Sequence, residues 1–343
     1  WLNDMGIRMN EWQFNCLQFA QDTRFPLVTS GLILLNKTAK DLGISSQILK
    51  RFLATVEEHY KPVRYHNSTH ATMVAQKMHC LICKLNMFDH MDTMEYFIAI
   101  LSGLCHDVGH PGRNNSFFVN SMEPLAIVYN DIAVLENFHS SLTFRFMKLH
   151  GCNLFKNLPI SAFHLVRSRV IKLILATDMS AHFDKLSLFR VKIFSIFRNN
   201  LHLIIYVLVT VRRISNKLNF TCKDDLWLTL QMVIKTADLS HCVTEWDEHS
   251  KWCTRLVEEF FEQVAVRSSL FMVVIRGDEE RTKGVAISPL CDRHKLFEVA
   301  QSQVGFLSFV VSPLFAEMQA IDQNGFIELV CNKIFLLKLR QFQ

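Results

Sequence analysis

Apolar residues recur three and four positions apart along most of this chain, a spacing that suits the buried face of an amphipathic helix. Ile44, Ile48, Leu49, Phe52, Leu53 and Val56 mark one such run, with Ser45 and Ser46 as candidate N-caps. Similar runs cover about residues 69–88, 92–108, 132–150, 160–178, 225–240, 246–263 and 293–320. Only 11 Gly and 7 Pro occur, too few to punctuate a many-stranded sandwich or barrel. Pro62, Pro111-Gly112, Pro124 and Pro289 fall between the runs, where a residue without an N–H ends one helix or starts the next. The expected fold class is therefore all-α. A hydrophobic fraction of 50% can fill a large core, and no repeat or low-complexity linker sets off a second domain, so residues 1–343 read as one domain. Two stretches fit poorly: about 186–220 is mixed basic and apolar, and 264–276 (VAVRSSLFMVVIR) reads as strand-like.

The formal charge of +5 is spread without a dense Lys/Arg block, which argues for a small anionic substrate and against a nucleic-acid groove. Ten Cys stand mostly within apolar periodic segments. Cys80 and Cys83 form a C-x-x-C, but no second pair completes a zinc knot, so buried thiols in a reducing compartment are expected. The chain opens on Trp1 without a signal peptide or presequence, and is expected to be part of a longer protein. The greasiest run, Leu201 to Val211, is shorter than the about 20 residues a membrane span needs. The sequence leaves oligomeric state open.

His and Asp concentrate in four segments: Tyr65-His66-Asn67-Ser68-Thr69-His70, His106-Asp107-Val108-Gly109-His110, Thr177-Asp178 and Ala237-Asp238-Leu239-Ser240-His241. On a helix, i, i+4 spacing sets His66 above His70 and His106 above His110, so each pair can face one point. Adjacent His106 and Asp107 can share a site only at a helix end or kink, and Pro111-Gly112 supplies such an end. Imidazole with carboxylate suits zinc, and carboxylate with water suits magnesium or manganese, so the mixed set suggests two metals. Paired ions about 3.5–4 Å apart can activate a hydroxide against phosphorus and neutralise charge on phosphoryl oxygens. A zinc protease needs Glu directly after the first His of H-x-x-x-H, where this chain has Asn67 and Asp107. No G-x-S-x-G elbow and no G-x-x-x-x-G-K loop occurs.

Taken together, HNSTHA at 66–71, HDVGHPG at 106–112, ATDMSAHF at 176–183, ADLSH at 237–241 and SQVGF at 302–306 resemble the catalytic domain of the class I 3′,5′-cyclic nucleotide phosphodiesterases. The likeness covers about residues 40–320. It implies an all-α catalytic domain of the His-Asp superfamily with metals at the floor of a deep pocket. The Phe-, Asn- and Lys-containing surroundings of the motifs resemble apicomplexan members and lean the expectation towards cGMP, although cAMP stays open.

Carried over by position, the resemblance makes His70, His106, Asp107 and Asp238 the zinc ligands, with Asp107 bridging to a second ion, Mg2+ or Mn2+. His66 then matches the general acid for O3′, and Glu136 the carboxylate that orients it. The hydroxide between the ions would be the nucleophile. His110, Glu123 and Thr177 match positions around the metals, although Thr177-Asp178 can equally cap the helix that follows. Gln303 matches the purine-binding amide, Phe306 and Leu256 the clamp on the base, and Tyr65 a further substrate position. An amide both donates and accepts, so Gln303 suits adenine or guanine.

Met73 stands where the family usually has an acid, and Phe138 replaces the first of two histidines. Extra residues around 264–276 separate Phe260-Phe261 from Gly277-Asp278. With 186–220, these border the substrate lid in the family, and a disrupted lid reduces activity. Two alternatives follow: a catalytically weak cyclic-nucleotide-binding module, and another His-Asp superfamily phosphohydrolase. The resemblance implies a cytoplasmic location, or the cytoplasmic side of a membrane where upstream segments span it.

Overall fold

A computed structural model of the chain describes residues 2–198, 222–262 and 297–332. Among these residues the secondary structure is helical, as the three-and-four spacing predicts, and it contains no strand. The run beginning near Ile44 becomes the Ser46–His59 helix, and Ser45 caps it by accepting from the Ile48 N–H. Leu49, Phe52, Leu53 and Val56 form its buried stripe. The first part of 186–220 continues the His182–Arg198 helix. The rest of that stretch, the Leu201–Val211 run and the strand-like reading of 264–276 lie outside the described residues. No described helix is long and apolar enough to cross a membrane.

The Ser68–Lys84 and Thr93–Cys105 helices form the centre, and both are buried along most of their length. They approach closely at Gly103, where an added Cβ would meet Ala75 Cα at 3.2 Å and Met78 Sδ at 2.8 Å. Two polar residues of the first of these helices are fully buried because they bind backbone carbonyls of the N-terminal segment. Gln76 donates to Met9 O and Glu11 O, and the Lys77 ammonium donates to Trp12 O and Phe14 O. This satisfies groups whose burial would otherwise be costly. Glu57 does similar work at a helix start: its carboxylate accepts from Leu27 N and Val28 N of the Pro26–Asp41 helix, whose own N-cap residue, Phe25, makes no side-chain cap.

The run at 293–320 is not one uninterrupted α-helix. The Phe297–Phe306 helix passes through a π turn at Leu307–Val311 into Ser312–Gln319. Pro313 has no N–H to offer the preceding turn, and the Ser312 N–H and hydroxyl both donate to Leu307 O, the hydroxyl at 2.7 Å.

Candidate metal centre and nucleotide pocket

The residues expected to hold metal sit at helix ends. Asn67, not His66, begins the Ser68–Lys84 helix, with its side chain accepting from Thr69 N and His70 N. His66 therefore precedes the helix, and the i, i+4 geometry predicted for His66 and His70 does not hold. The same correction applies to His106 and His110: the Thr93–Cys105 helix ends at His106, its C-cap, and the chain turns away through Gly109 at φ +81°. This is the helix end that adjacent His106 and Asp107 require. A Cβ at Gly109 would lie 2.5 Å from Leu142 Cδ1 and 3.1 Å from Phe138 Cε1. Gly109→Ala should thus destabilise the fold by about 1–3 kcal/mol through left-handed strain, with steric conflict adding to it. Urea unfolding checks this.

Four atoms converge at the centre. His70 Nε2 lies 3.0 Å from Asp238 Oδ1, 3.3 Å from Asp107 Oδ2 and 3.2 Å from His106 Nε2. His106 Nε2 lies 2.9 Å from Asp107 Oδ2 and 3.6 Å from Asp238 Oδ1. Ligands about 2.0–2.1 Å from a tetrahedral zinc are separated by about 3.3 Å, so these spacings fit one ion. His106 Nδ1 lies 2.9 Å from Gly103 O, and its N–H donates there, which leaves the Nε2 lone pair for the centre. Lone pairs so close repel one another unless a cation or protons lie among them. Burial opposes protonation of His106, yet Asp107 and Asp238 outweigh it and hold this imidazole well above its usual value. Burial likewise raises the two carboxyls, but the histidines prevail and hold both well below the carboxylate range. The donor set fits a divalent metal.

Beside the centre, His66 is clamped by Glu259, not by Glu136. His66 Nδ1 donates to Glu259 Oε1 at 2.5 Å, while Tyr65 N and His66 N donate to Oε2 at 2.6 and 3.1 Å. Burial lowers the His66 pKa, but the Glu259 charge and hydrogen bond prevail and bring it up to about 9. Burial raises the Glu259 carboxyl, and His66 more than offsets this, bringing it down to about 2. Glu136 instead accepts from Asn115 Nδ2 at 2.9 Å, and the Asn115 carbonyl accepts from Leu135 N. Burial, with Asp178 and Asp107 adding to it, pushes Glu136 up to about 7. The Glu136 carboxyl thus belongs to an acidic region on the Asp107 side, the kind of surrounding that a second cation neutralises.

His110 stacks on His66 with ring centroids 4.0 Å apart, and its Nδ1 accepts from Gly112 N. Its pKa is driven well below the usual value by burial and then by the positive His66. Neutral, with Nδ1 accepting, it presents an Nε2–H donor. His139 completes this wall: its Nδ1 donates to Val108 O, and its Nε2 lies 3.7 Å from Asp107 Oδ1.

Thr177 donates to Ile174 O, and Asp178 accepts from both the backbone and the hydroxyl of Ser180, so this pair shapes the turn before the His182–Arg198 helix. Neither residue accepts from an N–H of the helix that starts at His182, so these bonds are not the expected N-cap. Glu123 stands at the N-cap of the Pro124–Tyr129 helix. Tyr65 is 4% exposed, with its ring 4.6 Å from His70 and 5.6 Å from Trp252, so it backs the histidines more than it offers surface to a ligand. Gln303 is buried beside Cys253, and Leu256 and Phe306 are partly buried against the core.

Glu259 and His139 were not singled out from the sequence, although a signal existed for the first. Trp252, Leu256 and Glu259 fall at i, i+4 and i+7 on the Trp246–Glu262 helix, so Glu259 is an acid on an apolar stripe.

The profile of the 3′5′-cyclic nucleotide phosphodiesterases matches residues 65–334. The chain is 41% identical over 326 residues to the dual 3′,5′-cyclic-AMP and -GMP phosphodiesterase beta of Plasmodium falciparum, covering 95% of this chain and 26% of that protein. It is 33% identical over 291 residues to the cGMP-specific 3′,5′-cyclic phosphodiesterase alpha of the same organism, covering 85% of this chain and 27% of that protein. The chain therefore spans only 26% and 27% of the length of these two relatives. Among solved structures, the phosphodiesterase domain of the RhoPDE fusion protein from the choanoflagellate Salpingoeca rosetta superposes with a TM-score of 0.81. That superposition covers 97% of this chain and 94% of the other at 24% identity, a likeness of fold. With the profile matched from residue 65 to residue 334 and the His/Asp centre built from those same residues, this chain belongs to the 3′5′-cyclic nucleotide phosphodiesterase family.

Proposed function

We propose that this chain hydrolyses a 3′,5′-cyclic nucleotide, cGMP or cAMP, to the 5′-monophosphate. The observation that carries the reading is a metal-ligand cluster set beside an imidazole that a buried carboxylate clamps through Nδ1. His70, His106, Asp107 and Asp238 would hold a zinc ion, and Asp107 would also face a second ion, Mg2+ or Mn2+. Bound cations supply charge neutralisation on the phosphoryl oxygens and a water acidic enough to attack at neutral pH. The chain's own residues do the rest.

As water adds to phosphorus, the P–O3′ bond breaks and its electron pair stays on O3′, a poor leaving group until protonated. His66 delivers that proton. Glu259 holds Nδ1, so Nε2 is the delivering atom, and the Glu259 charge keeps the imidazolium populated at neutral pH. His110, packed flat on His66 and neutral, limits the swing of the ring and adds an N–H donor to the same wall. Glu136, held by Asn115, would orient water on the Asp107 side. Gln303 would hydrogen-bond the base, with Phe306 and Leu256 against its faces.

Glu259→Gln should move the alkaline limb of the kcat profile downward from about 9. Without the counter-charge, burial lowers the His66 pKa, so the acid form is lost as pH rises at a lower pH than before. Glu136→Gln should leave that limb in place. Matching pH–rate profiles of the two variants check this, and a limb that moves only in Glu136→Gln would return the orienting role to Glu136.

The reading itself is tested by cGMP and cAMP hydrolysis measured side by side after chelation, with and without added magnesium. Metal-dependent release of a 5′-monophosphate supports it and ranks the two bases. Tight binding without turnover supports the binding module instead.

A further inference from the structure

Away from the His/Asp centre and its adjoining residues, one further set of metal-ligating side chains converges among the described residues. His241, His249 and Cys253 each bring a ligand atom within 4.8 Å of the others. His241 lies in the turn after the Lys223–Asp238 helix, whereas His249 and Cys253 stand one turn apart on the Trp246–Glu262 helix. Both histidines are buried, at 2% and 0% exposure, and Cys253 is half-buried.

The tautomer of His249 is fixed by its surroundings. Its Nδ1 lies 3.0 Å from the His241 carbonyl oxygen, a contact that needs the proton on Nδ1. The neutral ring therefore aims an Nε2 lone pair at Cys253 Sγ, 3.3 Å away. A backbone carbonyl that holds one ring nitrogen and so turns the other towards the ligand set is the outer-shell arrangement of metal-binding histidines. Nitrogen and sulfur ligands of one tetrahedral zinc lie about 3.5 Å apart, close to this separation. The His241 ring runs nearly parallel to His249, 15° between planes and 5.4 Å between centroids. Cys242 Sγ lies 3.6 Å from His241 Nε2 and adds a second thiol to the neighbourhood.

We propose that His241, His249 and Cys253 form a second, thiolate-containing site for a zinc-class divalent cation beside Gln303. Two imidazoles and one sulfur select a borderline or soft ion over magnesium or calcium. On binding, the Cys253 thiol gives up its proton to solvent and the sulfur bonds the cation; no oxidant or reductant is involved. Water or Gln303 Oε1 is available for the fourth position, because Cys253 Sγ also lies 3.7 Å from that oxygen. A functional consequence follows if Gln303 reads the purine as proposed above: occupancy takes the thiol away from Gln303 and depresses turnover.

Cobalt(II) in place of zinc tests the site independently of any hydrolysis. The His/Asp centre offers only nitrogen and oxygen, so a thiolate-to-cobalt charge-transfer band cannot arise from it. The intact chain, titrated with Co2+, should develop this band. Cys253→Ser should abolish it, and His249→Gln should weaken the cobalt affinity read from it by roughly 10–100-fold or more. Circular dichroism establishes that each variant is folded, and His249→Gln carries the test if Cys253→Ser is not. A wild-type protein without the band, or a band unchanged in the folded variants, overturns the proposal and leaves Cys253 and His249 as a thiol–imidazole hydrogen bond. A protein that shows the band yet hydrolyses neither nucleotide keeps the cation site and overturns the functional reading alone.

Discussion

His66→Ala is expected to depress turnover of a cyclic nucleotide by roughly 10²–10⁴-fold, the usual worth of a general acid, while leaving bound metal nearly intact. The two halves of this expectation come from different atoms. His66 contributes nothing to the four-atom cluster; its Nδ1 is committed to Glu259. Removing it therefore spares the ligands but deprives O3′ of its proton donor. Glu259 would lose its charged partner while still accepting from the backbone N–H groups of Tyr65 and His66, so some loss of stability accompanies the variant. A change of substrate separates the two effects. A phosphodiester with a nitrophenolate leaving group departs without a proton, so its hydrolysis should fall far less than that of the natural ring. Equal losses on both substrates, or unchanged turnover on the cyclic nucleotide, would remove His66 from the acid role.

The helical architecture and the helix end that carries His106 and Asp107 are legible in the sequence because each leaves a local mark, whereas the set completed by His70 and Asp238 comes from the family resemblance. Helices leave a periodic stripe, and His106-Asp107 followed by Gly109 and Pro111-Gly112 announces a chain turning away from a helix end. What the sequence obscured are relations between distant segments. Glu136 and Glu259 are both acids on partly apolar helices, and only the folded chain shows which one reaches His66 across the intervening residues. Proximity in sequence misled in the other direction. His66 and His70 share an i, i+4 spacing, yet Asn67 caps the helix between them, and the histidines reach neighbouring sites by different routes. The π turn at Leu307–Val311 left no periodic signature either, since widening by one residue resembles an ordinary continuation of the stripe. The buried Gln76 and Lys77 are a further case: polar residues inside a helix acquire a reason only when residues 9–14 arrive to receive their hydrogen bonds.

Asp238→Ala should lose tightly bound zinc and, with it, nearly all turnover. Asp238 ends the Lys223–Asp238 helix and brings one carboxylate oxygen to 3.0 Å from His70 Nε2 and 3.6 Å from His106 Nε2. Asp107 cannot replace it, because its own carboxylate already faces the same pair of nitrogens. Loss of a group in direct contact with the ion should weaken binding by more than the roughly 10–100-fold that removal of an outer-shell partner costs. Metal analysis after dialysis reads the first effect. Thermal unfolding reads a second, since an ion that binds only the folded state stabilises it by mass action. The wild-type melting temperature should fall on addition of chelator, and the fall should be smaller in Asp238→Ala, which has already lost the ion of the His/Asp centre. Excess zinc in the assay should restore part of the lost turnover if the remaining three ligands still assemble. Zinc retained through dialysis at the full wild-type content would mean that Asp238 is not a ligand, and that the carboxylate facing His70 serves instead to position that ring.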